Sequence, residues 1–402
     1  MKKFFTSLPF ILLVAVVAGI LVGLVANEAV MNVVVTVKYV LGQVIMFCVP
    51  LIIIGFIAPS ITKLGSNVSR ILGVAVLIAY CSSIGAALFS MLAGYAIIPS
   101  LSIATSVDGL KELPDIVFQL DIPQIMPVMS ALVLSILLGL AAVWTHADLM
   151  CKLLDEFQRI VLAIVTRVVI PILPFFIATT FCGLAYEGTI TRQLPVIVGH
   201  YIWLAILYGI AGAYSGENPL RVLRQYGPAY LTAVGTMSSA ATLAVALQGA
   251  NRAAPPLRRD MVSFGIPLFA NIHLCGSVLT EVFFVMTIGQ MINGSMPELS
   301  TMILFCLLLG VFAIGAPGVP GGTVMASLGL ITGVLGFGDT ATALVLTVFA
   351  LQDSFGTACN ITGDGALTLM LTGYADRHGI EESDEHRQLF NTEDEKKIGF
   401  AK

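Results

Sequence analysis

The sequence predicts an all-α membrane protein whose C-terminal half is interrupted by two hairpins. Three observations carry that reading. The first is composition: of 402 residues, 57% are hydrophobic and 11% charged, whereas a soluble domain carries about 25% charged residues. Mean hydropathy is +0.95, so one membrane-embedded unit is expected rather than several soluble domains. The second is a series of apolar runs long enough to cross a bilayer. The third is a pair of runs whose middles, at 235–242 and 315–323, are rich in glycine, serine and proline and cannot be continuous apolar helix. A net charge of −4 with no basic face sets aside nucleic acid as a partner. Of the seven cysteines, Cys48, Cys81, Cys182, Cys306 and Cys359 lie in apolar runs without metal-type spacing. They read as small packing residues, with no disulfide framework.

Taken in order, Met1-Lys2-Lys3 precedes an apolar run to Ala26. No clear small-residue cleavage site ends that run, so it reads as a retained first span. Further runs cover 34–62, 69–99, 127–145, 157–186, 194–214, 261–293, 300–335 and 340–373. Several exceed the roughly 20 residues of a straight span, so tilt or breaks are expected. The polar segment 101–124, with Asp108, Lys111, Glu112, Asp115 and Asp121, reads as an external loop, and the residues after about 378 as a solvated tail. Lys2, Lys3, Lys63, Arg70, Lys152, Arg159 and Arg377 can all lie on the cytoplasmic side of the cell (inner) membrane, which puts both termini there. Arg167, inside the fifth run, is placed to snorkel to the same interface.

Arg221 and Arg224 precede a short stretch at 228–248, and Arg252, Arg258 and Arg259 follow it. Both ends therefore lie on one side, which describes a re-entrant hairpin with Ser238-Ser239-Ala240-Ala241-Thr242 at its tip. The run 300–335 breaks at Gly315-Ala316-Pro317-Gly318-Val319-Pro320-Gly321-Gly322-Thr323 and is flanked by Glu298 and Asp339 without lysine or arginine, so both its ends can be external. Read as a plain loop, the break would leave apolar flanks of about 15 residues, short for spans. Non-helical backbone at membrane depth is tolerated where it lines a cavity or is buried in protein. Two interrupted segments of opposite orientation form an inverted-repeat pattern, and in transporters such breaks mark the binding site.

The last run carries Asp353, Thr357, Asn360 and Asp364 at steps of four, three and four. On a helix these share one stripe rising roughly 16 Å. Such a stripe can hold a bundle together by interhelical hydrogen bonds. Two acids without a basic partner on the stripe favour instead a site for a polar or charged solute.

These motifs resemble the dicarboxylate/amino acid:cation symporters, which share the glutamate-transporter fold. The similarity covers most of the chain and is strongest from Gly235 to Asp364: a serine-rich first tip, a glycine- and proline-rich second tip, and a final helix reading Asp, Thr, Asn and Gly-Asp. The resemblance implies eight spans, two opposed re-entrant hairpins, a homotrimer and elevator-type alternating access. It implies mainly scaffold and trimerisation spans over 1–220, with the third span contributing to transport. A transport core over 221–375 and a cytoplasmic tail over 376–402 complete the division. It further implies that Asp353 holds a substrate amino group and that Thr357 and Asn360 contact the rest of an amino acid. Ser238, Ser239, Gly318 and Val319 would contribute from the tips, and Ser277 from the seventh span. Asn360 and Asp364 match sodium ligands. Acidic-substrate members carry an arginine where Gly356 stands. Without it a second substrate carboxylate would be buried unpaired, so a neutral amino acid, as in the serine/threonine branch, is expected. A symporter of dicarboxylates or acidic amino acids, and an anion or solute channel on the same fold, are the alternatives.

The seventh span departs from the family motif Asn-Met-Asp-Gly-Thr, reading His273-Leu274-Cys275-Gly276-Ser277. Sodium prefers hard oxygen donors, so imidazole and thiol put at least one sodium site in question. Asn271 is a candidate to compensate. Glu281 follows His273 by eight residues, on nearly the same face of a continuous helix. In the family a Glu at this position is associated with proton coupling. An intramembrane His with a Glu suits a proton relay; a neutral His273 making one packing hydrogen bond is the other reading. The coupling ion is therefore sodium or a proton, and no other cofactor is expected. The chain shows no HExxH, no GxSxG and no nucleotide loop, so an enzyme is not expected. His146, His200, His378 and His386 read as interfacial or solvated, and Asp148, Asp155 and Glu156 as a solvated face.

Overall fold

The computed structural model describes residues 8–64, 67–100, 113–187, 194–316, 318 and 320–382. All regular structure among them is helical. The first half contains α1 (Leu8–Val25), α2 (Glu28–Leu64), α3 (Val68–Ile97), α4 (Val128–Trp144) and α5 (Asp148–Ile164). A π-helical stretch, Val165–Val169, carries α5 into α6 (Ile170–Glu187), and α7 (Leu194–Ser215) follows. Five helical stretches are long and apolar enough to cross a membrane: Glu28–Lys63, Val68–Ser100, Asp148–Glu187, Ile197–Ser215 and Arg259–Asn293. The expected lysines at the N-terminus, the first half of the 101–124 loop and the end of the tail lie outside the described residues.

Small residues set the closest helix contacts. A Cβ at Gly19 or Gly23 of α1 would run into the Ala178 and Cys182 carbonyls of α6, so the two backbones touch, as small-residue interfaces permit in lipid. Elsewhere α2 packs against α4 and α6, and α3 against the C-terminal half. The charge run of α5 is only partly a solvated face. Asp155 Oδ1 lies 2.7 Å from the Nζ of Lys63, whose side chain is 3% exposed; Glu156 pairs at the surface with Arg159. Arg167 is exposed, as a snorkelling residue requires, and Cys81 is exposed on α3 rather than packed.

The C-terminal half has two helical hairpins. A short α8 (Leu220–Leu223) leads into α9 (Gly227–Thr236) and α10 (Ser239–Arg252), which form the first. Met237 turns the chain between them in the left-handed region, at φ 52°. Ser238 then caps α10, its Oγ accepting from Ala241 N at 3.1 Å. This satisfies one of the free N–H groups of a helix start. The second hairpin is α13 (Leu299–Gly315) and α14 (Gly322–Gly333), with Gly321 at φ +71° preceding α14. The two tips meet: the Gly318 carbonyl accepts from Ser238 Oγ at 2.7 Å and from Ala240 N at 3.1 Å.

Between the hairpins the seventh apolar run is not one helix. It divides into α11 (Arg259–Ile272) and α12 (Cys275–Asn293), with His273 extended and Leu274 non-helical between them. The expectation that His273 and Glu281 share a continuous helical face is thereby corrected. This run is the most enclosed of the candidate spans, 89% buried against 33–50% for the other four. The last helix, α15 (Asp339–Arg377), is continuous over 39 residues and packs on α7, α9 and α12. Arg258 ties its far end down, with Nη1 donating to Asp376 Oδ1 at 3.0 Å and to the Ile380 carbonyl at 2.6 Å.

Candidate solute and ion site

Because α15 is continuous, the spacing of its polar residues becomes a physical stripe. Asp353, Thr357, Asn360 and Asp364 are 3%, 3%, 1% and 0% exposed. Asp353, Asn360 and Asp364 each meet a chain break, while Thr357 bonds back to Asp353. Asp353 Oδ2 accepts from Gly321 N at 2.7 Å, which places a carboxylate at the N-terminal end of α14, where the helix dipole favours negative charge. Asp353 Oδ1 accepts weaker bonds from Ser277 Oγ and Thr357 Oγ1, both 3.4 Å. No lysine or arginine bonds to it among the described residues.

Asn360 serves the break in the seventh run. Its Oδ1 accepts from Gly276 N at 2.7 Å and Ser277 N at 3.1 Å, taking up free N–H groups at the start of α12. Its Nδ2 donates to Ser277 Oγ at 2.9 Å. The N-termini of α12 and α14 thus meet on the Asp353–Asn360 stretch, and that of α10 is joined to the second tip through Ser238 and Gly318. Ser239 sits beside that tip, 1% exposed, with no partner for its Oγ. Val319 lies outside the described residues.

One turn further, His273 fills the break. Its Nδ1 donates to Asp364 Oδ1 at 2.8 Å and its Nε2 lies 2.9 Å from Ser82 Oγ on α3. Both His273 and Asp364 are fully buried, and Asp364 Oδ2 has no partner. Gly363 makes the room, since a Cβ there would lie 2.9 Å from His273 Cε1. Asn271 does not join the pair; its Nδ2 donates back to the Pro267 carbonyl at 2.8 Å and its Oδ1 is unpartnered. Glu281, fully buried, accepts from Ser327 Oγ of α14, and its Oε2 has no partner. It therefore joins α12 to the second hairpin, not to His273.

Gly356 is a packing position as well as a missing charge. A Cβ there would lie 3.2 Å from Ser277 Cα and Thr280 Oγ1, so α12 and α15 cross against each other at this point. Opposite it, Gly276 admits no Cβ, which would strike the Gly356 carbonyl and Cys359. His200 is corrected from the solvated class. It is 1% exposed on α7, with Nε2 3.1 Å from the Gly276 carbonyl and 2.9 Å from Thr280 Oγ1. His146 and His378 are exposed as expected, and His386 lies outside the described residues. Ser82, Ser327 and Thr280 also escape the sequence reading, and Gly321, read there only as part of the second tip, is the residue that bonds Asp353. Ser82-Ser83 inside an apolar span was the available signal for the first; Ser327 and Thr280 carry none, because their partners come from distant elements.

The sequence profile of the sodium:dicarboxylate symporter family matches residues 8–373. The chain belongs to this family. Among its relatives is the "Excitatory amino acid transporter 2" of Mus musculus, 30% identical over 229 residues, which cover 53% of this chain and 39% of that protein. The "Serine/threonine transporter SstT" of Acinetobacter baumannii (strain SDF) is 29% identical over 249 residues, covering 58% of this chain and 60% of that protein. The chain thus matches less than two thirds of the length of either. These relatives are transporters, not enzymes.

Sodium is the ion in the family's name, and the side chains expected to hold it here do not fit it. Asn360 has its oxygen and its amide committed to α12. Asp364 keeps only Oδ2. The neighbouring donors at 273 and 275 are imidazole and thiol, softer than the oxygens that hard cations select. No cluster of three acidic, histidine or cysteine side chains is placed to hold a metal among the described residues.

Proposed function

We propose that the protein is a secondary active transporter that carries a small neutral amino acid together with a monovalent cation, sodium or a proton. The observation that carries this reading is Asp353: a buried carboxylate, without a basic partner among the described residues, held only by a hairpin-tip N–H and two hydroxyls. An arriving ammonium group is the natural replacement for the Gly321 N–H. The substrate carboxylate is then favoured by the convergent helix N-termini. Asp353 with a zwitterion has net charge −1, so one co-transported cation neutralises the site and lowers the cost of moving it through the bilayer.

Gly356 supplies no cationic side chain opposite the substrate, which supports a neutral over an acidic substrate. The two hairpin tips, joined through Gly318, are the gates. The rest of the reading follows the family: eight spans, two re-entrant hairpins, residues 221–375 moving as an elevator against 1–220, a homotrimer, and both termini on the cytoplasmic side of the cell membrane.

Uptake into proteoliposomes is the test, with a panel of neutral and acidic amino acids and with sodium and pH varied separately. Serine, threonine or alanine should accumulate and aspartate should not. Preferential uptake of aspartate or of dicarboxylates would overturn the substrate class.

A further inference from the structure

The expected ion position at Asp364 is taken by a side chain of the protein itself. The His273 ring lies between Ser82 of α3 and Asp364 of α15, at hydrogen-bond distance from both. It has no exposed surface, and Gly363 leaves the space that it fills. The ring sits on the extended link between α11 and α12. An inorganic ion at a helix break in a transporter is coordinated by such unwound backbone and a nearby carboxylate; here an imidazole nitrogen holds one oxygen of that carboxylate.

We propose that His273 is the ion-specificity residue of this chain, a tethered occupant of the Asp364 seat that excludes sodium from it. The inference rests on the reading of the protein as a cation-coupled carrier. It narrows that reading: whatever ion runs the cycle, sodium is not drawn to Asp364. Cys275 and Cys359, which flank the same crossing, offer thiols and no hard oxygen.

The test uses the purified full-length chain and compares thermal midpoints in sodium chloride and in choline chloride. A ligand that binds only the folded state raises its stability. His273→Asn removes the ring and supplies an amide oxygen, so this variant should be stabilised by sodium where the wild type is not. Adding Asp364→Asn to it should remove the gain. In uptake or binding assays with serine, sodium should raise the apparent affinity of His273→Asn by roughly tenfold or more and leave that of the wild type unchanged.

A wild-type sodium response that Asp364→Asn abolishes would overturn the proposal, and so would a folded His273→Asn variant that gains no response. Should His273→Asn fail to fold, the comparison of wild type with Asp364→Asn decides alone. The thermal arm needs no transport. A protein that takes up no amino acid therefore refutes the carrier reading while this result still stands on its own.

Discussion

At the scale of single residues, the site is built from groups that satisfy broken backbone and can release it. Asp353 is the clearest case, since the bond it would give a substrate ammonium it now gives Gly321. A charge-assisted hydrogen bond contributes about 1.5–3 kcal/mol. Asp353→Asn should therefore weaken substrate binding by roughly 10- to 100-fold, read as concentration dependence of uptake, with an unchanged thermal midpoint. Near-normal transport by this variant would refute the assignment. Gly276 tests packing instead. Its methyl would meet backbone across the α12–α15 crossing, and overpacking of this kind costs about 1–3 kcal/mol. Gly276→Ala should lower the thermal midpoint, whereas Gly73→Ala, where nothing lies within 4 Å of the new Cβ, should not.

At the scale of elements, two polar side chains hold helix starts that the membrane would otherwise leave unsatisfied. Asn360 receives two N–H groups of α12. Each buried donor left without an acceptor costs about 1–3 kcal/mol, so Asn360→Ala should expose the first turn of α12 to faster hydrogen exchange. Protection unchanged over 275–278 would refute this role. Ser238 both caps α10 and holds the other tip through Gly318. Losing a cap costs about 1 kcal/mol, so Ser238→Ala should speed exchange at residues 321 and 322 severalfold and leave the α1–α6 pair unchanged. Equal acceleration everywhere would indicate general destabilisation instead of an opened gate.

At the scale of the molecule, a carrier and a channel on the same fold differ in what they require of these tips. A carrier needs them closed in turn; a channel needs an open polar path. The closed contact between Ser238, Ala240 and Gly318 favours the carrier. Uptake is then expected to saturate with substrate, and vesicles preloaded with unlabelled substrate should drive counterflow of the labelled one. Linear flux with single-channel currents would sink the carrier reading.

The sequence by itself determined the membrane class, the polar stripe on the last helix and the breaks near 238 and 318. Each is a local property: hydropathy over a run, the 3.6-residue period, and glycine, serine or proline where helix cannot continue. Only the tertiary structure decided what the stripe faces. The break at His273-Leu274 has no glycine or proline to announce it; it is held by Asn360 and Asp364 from a helix more than eighty residues away. Glu281 therefore turns to Ser327 rather than to His273, and His200 is buried against Thr280 instead of solvated. Such pairings depend on how helices cross, and a crossing is set by which residues lack a side chain at the contact, here Gly276, Gly356 and Gly363. That is why the sequence could name Asp364 and His273 separately and not the contact between them.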